Sequence, residues 1–342
     1  MRAFYYLGPQ QIELRDIAIP QPGPGELLVK VHAAVTCGTD LKIYRRGHPK
    51  FPPPFIFGHE FGGEIVETGP GVSGFRTGMR VTANVISPCG TCFFCKRGQS
   101  NLCTGVIYNF GAFAEYMILP EPIVRGATLE IPASISDAEA AIFEPLVSVV
   151  HAQQTVKIQP GERVVILGAG GGISLLHLQM AMLAGAGAVI GVGHSPLRLK
   201  VFEELMAGPV STLNAHAVNV EKAVLDQTEG YGADVVIECA GKPETWEQAV
   251  TLCRRGGRVL WFGGLAEGLN VSVDAKKAHY GELTLFSTHG GTPQDAQLAF
   301  ALIRSGAVKT APLLTDEMPL NDLEHALKKM IAGETIKVVI RP

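Results

Sequence analysis

From residue 163 onward, short and almost wholly apolar stretches alternate with segments of helical length, and this alternation limits the fold more than any other feature of the chain. Arg163-Val164-Val165-Ile166-Leu167, Ala188-Val189-Ile190-Gly191-Val192, Asp234-Val235-Val236-Ile237-Glu238 and Gly257-Arg258-Val259-Leu260-Trp261 read as strands buried on both faces. Parallel strands covered by helices read this way. Helices are expected between them, around residues 175–183 and 197–205. The result is a doubly wound α/β sheet, which binds ligands at the carboxyl ends of its strands.

Residues 1 to about 150 have a different texture. Strands are expected at 26–35, 62–67, 79–84 and 112–117, with turn residues at 20–25, 52–54 and 69–74, which suits a β-rich, partly closed barrel. Ser136-Asp137-Ala138-Glu139 opens a helix with an N-cap, running through Glu144-Pro145-Leu146 to His151-Ala152. Helices at 295–304 and 320–331 and a strand at 337–340 follow the alternating region and should return to the first domain. The expected domains are therefore 1–150, 151–290 and a returning segment 291–342.

Composition narrows the function. A chain of 342 residues with 46% apolar and 18% charged residues fits a two-domain globular protein with an ample core. The net charge of −3 offers no basic stripe for a nucleic acid or an anionic membrane. Lys42, Arg45, Arg46 and Lys50 form the densest basic run and read as a solvated loop. Met1-Arg2-Ala3-Phe4 has no charged leader before an apolar region, and no apolar run reaches the roughly 20 residues of a membrane span. An odd number of cysteines, clustered at metal spacing, points to the cytoplasm and away from a disulfide framework.

Cys89, Cys92, Cys95 and Cys103 form C-x2-C-x2-C-x7-C. Four thiolates at this spacing can close around one tetrahedral Zn²⁺ without leaving room for substrate, so a structural zinc lobe is expected over about 86–105. Cys37 stands apart, in Cys37-Gly38-Thr39-Asp40, with Gly58-His59-Glu60 beyond it. One group looks closed and the other open.

The glycine run Gly168-Ala169-Gly170-Gly171-Gly172-Ile173-Ser174 follows a buried strand and precedes an apolar helix. Gly168 and Gly170 match the first two glycines of the dinucleotide fingerprint, while the third glycine position holds Ile173, with Gly172 as a substitute if the loop carries one extra residue. The next strand should end in Asp or Glu if NAD is the cofactor. Gly193 stands there, followed by His194, Ser195 and Arg198, which offer room and donors for a 2′-phosphate. NADP is expected in preference to NAD. Cys239-Ala240-Gly241 and Phe262-Gly263-Gly264 follow later strands and should line the cofactor groove, with Cys239 and Cys253 as ordinary buried thiols.

Gly58-His59-Glu60-Phe61-Gly62-Gly63, with Gly69 and Val72, resembles the G-H-E-x2-G-x5-G-x2-V signature of the zinc-containing medium-chain alcohol dehydrogenases and fits every position. With Cys37, the four-cysteine lobe and Phe110-Gly111-Ala112-Phe113-Ala114-Glu115-Tyr116, the resemblance covers essentially the whole chain. Glu144-Pro145-Leu146 followed by His151-Ala152 looks like its polyol (sorbitol) and threonine dehydrogenase branch. The resemblance implies a GroES-like catalytic domain joined to a Rossmann domain, two zinc ions per chain, and a homo-oligomer, tetramer or dimer. Carried onto this chain, it implies a catalytic zinc on Cys37, His59 and Glu60, with Glu144 as water partner or exchangeable fourth ligand. Thr39 is placed to accept the alcohol proton, and Ser287-Thr288-His289 to reach the nicotinamide. An open zinc position lowers the pKa of a substrate hydroxyl so that hydride can leave.

Where many relatives carry a relay histidine this chain has Lys42, so the proton path through Lys42, His48 or water stays open. Ile43, Tyr44, Phe51 and Tyr108 are expected to line the substrate pocket. The implied activity is reversible oxidation of a secondary alcohol in a polyol, sugar alcohol or amino alcohol. Alternatives are L-threonine dehydrogenase and a catalytically silent protein that binds zinc and NADPH.

Overall fold

The computed structural model describes residues 1–342. Two units divide the chain, one formed by Met1–Val147 with Gly291–Pro342 and the other by Ser148–Gly290. The first begins with β1 (Arg2–Gly8), β2 (Gln11–Asp16), β3 (Leu27–Val35) and α1 (Gly38–Arg46). It continues with β4 (Phe55–Ile56), β5 (Glu60–Thr68), β6 (Arg80–Ala83), β7 (Ile86–Ser87), β8 (Ile107–Tyr108) and β9 (Tyr116–Leu119). Then come α2 (Glu121–Ala127), β10 (Thr128–Glu130), α3 (Asp137–Ala141) and α4 (Phe143–Val156), within which the division falls.

The second unit holds β11 (Arg163–Leu167), α5 (Gly172–Leu183), β12 (Ala188–Gly193), α6 (Pro196–Glu204), β13 (Val210–Asn214) and α7 (Val220–Gln227). It is completed by β14 (Ala233–Glu238), α8 (Pro243–Leu252), β15 (Cys253–Trp261), α9 (Ala275–Tyr280) and β16 (Thr284–Ser287). Back in the first unit lie α10 (Pro293–Arg304), β17 (Leu314–Pro319), α11 (Leu323–Ala332) and β18 (Lys337–Arg341).

In the first unit one sheet runs β10-β6-β5-β3-β18-β17, with β9 also paired to β3. Its apolar face packs Leu27, Val29, Phe61, Ile65, Val81, Met117 and Val338 into a core shared with Tyr6, Phe57 and Phe113. Register positions the chemistry. The antiparallel pair β3–β5 sets Val35 opposite Glu60, so Cys37, just past β3, and His59, just before β5, emerge at one edge. Strand β18 pairs Val339 with Val35 and Ile340 with Ala34, which carries Lys337 to the same edge.

The second unit has six parallel strands in the order β13-β12-β11-β14-β15-β16. The order reverses between β11 and β14, the switch point at which doubly wound sheets receive dinucleotides. Val165, Leu167, Ile190, Val192, Val236 and Val259 form its core with Val224, Ala249 and Leu252 from α7 and α8. This is the α/β architecture that the alternating apolar stretches predict.

Two local expectations are corrected. The strand expected at 112–117 lies at Tyr116–Leu119; Ala112–Phe113 instead hydrogen-bond as isolated links to Gly58 and Phe57, and Phe113 O accepts from Phe4 N. The helix expected from 136 breaks into two, because Pro145 has no N–H with which to continue a ladder from α3 and is accommodated in the first turn of α4. No helix is long and apolar enough to cross a membrane.

Candidate metal centre and dinucleotide loop

Cys37 caps α1. Its Sγ accepts from Thr39 N at 3.4 Å, and Asp40, three residues on, accepts from Cys37 N at 2.9 Å in a reciprocal capping box. The cap fixes the Cys37 side chain and leaves the other Asp40 oxygen, Oδ1, 3.1 Å from His59 Nδ1. All four of Cys37, Asp40, His59 and Glu60 are buried. The donor atoms of Cys37, His59 and Glu60 lie within 4.8 Å of one another.

Glu60 is paired with Lys337, whose Nζ donates to its two oxygens at 2.9 and 2.6 Å and to Thr36 O at 2.9 Å. Burial raises the Cys37 thiol and the Glu60 carboxyl above their ordinary values, with Lys337 opposing both shifts. Burial also pushes the Glu144 carboxyl up to about 7. Glu144 sits in the first turn of α4, keeps some solvent access and stands outside the tight triad, so it comes near the triad without joining it.

The side chains near the triad sort differently from expectation. Phe51 meets Tyr108 and Phe110 edge-on, and Phe110 meets the His59 ring at 5.6 Å, so Phe51 and Tyr108 belong to an aromatic group beside the triad. Ile43 and Tyr44 do not line this group; both are buried in the core, with Tyr44 Oη donating to Glu324 Oε1 at 3.1 Å. Thr39 and Lys42 are exposed on α1, and His48 stacks on Phe51.

The four cysteines of the lobe also converge. Cys92 and Cys95 sulfurs lie 3.5 Å apart and those of Cys89 and Cys103 3.4 Å, as free thiols. Backbone N–H groups point at the sulfurs: Cys89 N and Gly105 N donate to Cys103 Sγ at 3.2 and 3.3 Å. Such donors favour thiolate, and those from Cys95 and Thr104 pull Cys92 down to about 5. Cys95 is pushed up to about 12 by desolvation and by sharing its proton with neighbouring sulfurs. Four sulfurs this close could hold one metal ion.

In the second unit β11 runs into Gly168 and Gly170, at φ +87° and +83°, and α5 starts at Gly172 with Gly171 as N-cap. A Cβ on Gly170 would stand 2.4 Å from Arg198 Cβ and O, so the loop needs glycine to lie against α6. No side chain caps α5, which leaves its first N–H groups for an anion. Ile173 lies in the first turn of α5 and is half-buried.

A Cβ on Gly193 would meet Ala169 O at 2.8 Å, so packing against the loop excludes a carboxylate there. His194 and Ser195 follow, with Ser195 as N-cap of α6 and Arg198 in its first turn. Cys239 and Ala240 follow β14, where Ala240 N donates to the buried Glu238 at 2.7 Å, and Gly263 follows β15. Ser287 ends β16, and the buried Thr288 Oγ1 beyond it has no partner.

Residues 23–128 match the alcohol dehydrogenase GroES-like domain, and residues 172–305 match the zinc-binding dehydrogenase domain. A sorbitol dehydrogenase of Halalkalibacterium halodurans is 34% identical over 94% of this chain and 94% of its own length. An L-threonine 3-dehydrogenase of Pyrococcus abyssi is 35% identical over 96% and 94%. The chain belongs to the zinc-containing medium-chain alcohol dehydrogenases. Among solved structures, a zinc-binding dehydrogenase of Sinorhizobium meliloti bound to NADP superposes with a TM-score of 0.90 at 33% identity, covering 100% of this chain and 99% of that one.

As a medium-chain alcohol dehydrogenase the chain is an oxidoreductase that uses zinc and a nicotinamide cofactor. Its own residues fit both groups. One thiol, one imidazole and one carboxyl converge with Glu144 beside them, and burial raises the thiol and both carboxyls, a cost of negative charge that a divalent cation offsets. The orphaned Thr288 Oγ1 and the uncapped α5 await polar partners of the kind a dinucleotide carries. Two residues of the centre were not singled out from the sequence. Asp40 could have been, as the third residue after a Cys in an N-cap position; Lys337 carries only the weak signal of a charge in an apolar final strand.

Proposed function

We propose that this medium-chain dehydrogenase reversibly oxidises a secondary alcohol of a polyol, sugar alcohol or amino alcohol to the ketone, with NADP preferred over NAD and two zinc ions per chain. The observation that carries this reading is the carboxylate in the triad. A set of one thiolate, one imidazole and one carboxylate leaves a fourth position open, with Glu144 beside it.

Cys37, His59 and Glu60 would hold the catalytic ion, with Glu144 as water partner or exchangeable ligand, and Cys89, Cys92, Cys95 and Cys103 would hold the structural one. When bound, zinc supplies Lewis acidity toward the substrate hydroxyl and the nicotinamide ring accepts the hydride. Asp40 orients the His59 ring and Lys337 steadies Glu60. The hydroxyl of Thr39 takes the alcohol proton, and Lys42, His48 or solvent passes it on. Gly168, Gly170, Gly171, Gly172 and Ile173 lead the pyrophosphate to the start of α5. His194, Ser195 and Arg198 receive the 2′-phosphate beside Gly193. Cys239, Ala240 and Gly263 line the groove, and Ser287 with Thr288 meets the carboxamide. The free state of all seven cysteines supports a cytoplasmic location.

A panel of polyols, 1,2-diols and L-threonine with NADP and with NAD, followed at 340 nm, tests the reading. Turnover of at least one polyol or diol, faster with NADP and lost on chelation, is expected. Exclusive turnover of L-threonine would favour the second reading, which the 35% identity to a threonine dehydrogenase supports. No turnover on any member would overturn both.

A further inference from the structure

Gly193 at the end of β12 pairs with Asn214 at the end of β13, and Ala215 N extends the ladder to Gly193 O at 2.7 Å. His194 follows Gly193 directly and His216 stands two residues beyond Asn214, so each of these neighbouring strands delivers a histidine past its end. Asn214 Oδ1 accepts from His216 N at 3.0 Å, a turn that aims the second imidazole back at the first. The rings of His194 and His216 stack with centroids 5.2 Å apart and planes 21° apart, and both residues are exposed.

The charges that act on His194 come from three elements and all have one sign: His216 after β13, Lys242 at the start of α8, and Arg198 in α6. Burial and these cations together hold His194 below the ordinary histidine value. Three acidic groups on α6 and α7 are engaged elsewhere, and no acidic group acts on His194. Glu203 accepts from Thr212 N and Oγ1, Glu204 faces Lys200, and Asp226 faces Lys222. Lys242 and Arg198 thus oppose a proton on His194, and an anion placed among these groups removes that opposition.

We propose that His194 and His216 form a proton-taking clamp for the 2′-phosphate of NADP, with Arg198 and Lys242 as its fixed charges, so that cofactor preference falls as pH rises. The proposal rests on the reading that NADP is preferred, and adds to it His216, Lys242 and a linked proton. A dianion placed among these groups favours the imidazolium form, so binding near neutrality takes up a proton from solvent. NAD carries no such group and takes up none. Between pH 6.5 and 8.5 the phosphate monoester, with its second pKa near about 6, remains largely dianionic, so the pH dependence in that window belongs to the protein.

The test is calorimetric and needs no turnover. Adenosine 2′,5′-bisphosphate and 5′-AMP are titrated into the zinc-loaded protein at pH 6.5, 7.5 and 8.5, in buffers of different ionisation enthalpy. The bisphosphate should bind tighter than 5′-AMP, lose roughly tenfold in affinity between pH 6.5 and 8.5, and take up close to one proton at pH 7.5. 5′-AMP should show neither effect. His194→Gln with His216→Gln should flatten the pH dependence, and Lys242→Met should weaken the bisphosphate at every pH without flattening it. Bisphosphate binding that is tighter than 5′-AMP yet independent of pH, or unchanged in the double variant, would overturn the clamp and leave the NADP reading standing. Equal binding of the two ligands at every pH would overturn both.

Discussion

Asp40 has two tasks that one carboxylate can perform because the N-cap of α1 is itself one of the three proposed metal donors. One oxygen holds Cys37 N at 2.9 Å and the other lies 3.1 Å from His59 Nδ1. Asp40→Asn keeps the size and loses the charge, so catalytic zinc affinity should fall 10–100-fold, measured by competition with a chelator. Lys337 faces a different balance. It is 3% exposed, and its partner Glu60 is fully buried. Removing one member of such a pair strands the other charge, at a cost of about 3 kcal/mol or more. Lys337→Met should therefore lower the unfolding temperature of chelator-treated protein markedly. The loss should be smaller with zinc present, because the ion compensates Glu60. An equal loss in both states would argue against Glu60 as a zinc donor.

At the scale of elements, the start of β14 is tied to its neighbours through Asp234. Its carboxylate accepts from Arg163 N of β11 at 2.7 Å and from Arg254 Nε of β15 at 2.6 Å. Desolvation works against the charged form, but these donors and the arginine charges outweigh it and hold the carboxyl below its ordinary 3.8. A folded value below the unfolded one stabilises the protein above about pH 3.8 and loses that contribution as pH falls through the folded value. Asp234→Asn should thus destabilise by about 1 kcal/mol at pH 7, with the difference from wild type closing below pH 3.8, measured by denaturant melts across pH.

Elements with a buried, unbroken apolar run were legible in the sequence. β11 falls at the expected residues, and β12 and β14 differ by one residue. Edge and half-exposed strands were not. β13 has no fully buried residue, and β1 and β2 alternate only loosely, so periodicity alone gives them little signal. In the proposed metal centre Cys37, His59 and Glu60, whose donor atoms converge, were readable because each stands in a short local motif. Lys337 was not, because only the β3–β18 register brings it there from 277 residues away.

At the scale of the whole molecule, the C-terminal segment completes the first unit. β18 fills the gap between β3 and β17 and carries Lys337 to Glu60. Deleting residues 335–342 would open the sheet at its middle and bare the face that Val338 and Ile340 cover. The shortened chain should lose cooperative unfolding of the first unit, seen as loss of near-ultraviolet dichroism. A truncated chain with a native-like transition would contradict this role.

The central claim, that Cys37, His59 and Glu60 form a metal centre separate from the four-cysteine lobe, is tested most directly by counting zinc. Metal content by plasma mass spectrometry should give two zinc ions per chain in the wild type and one in Cys37→Ser, with alcohol-dependent NADP reduction lost in the variant. A single zinc in the wild type, or two zincs and undiminished turnover in Cys37→Ser, would contradict it.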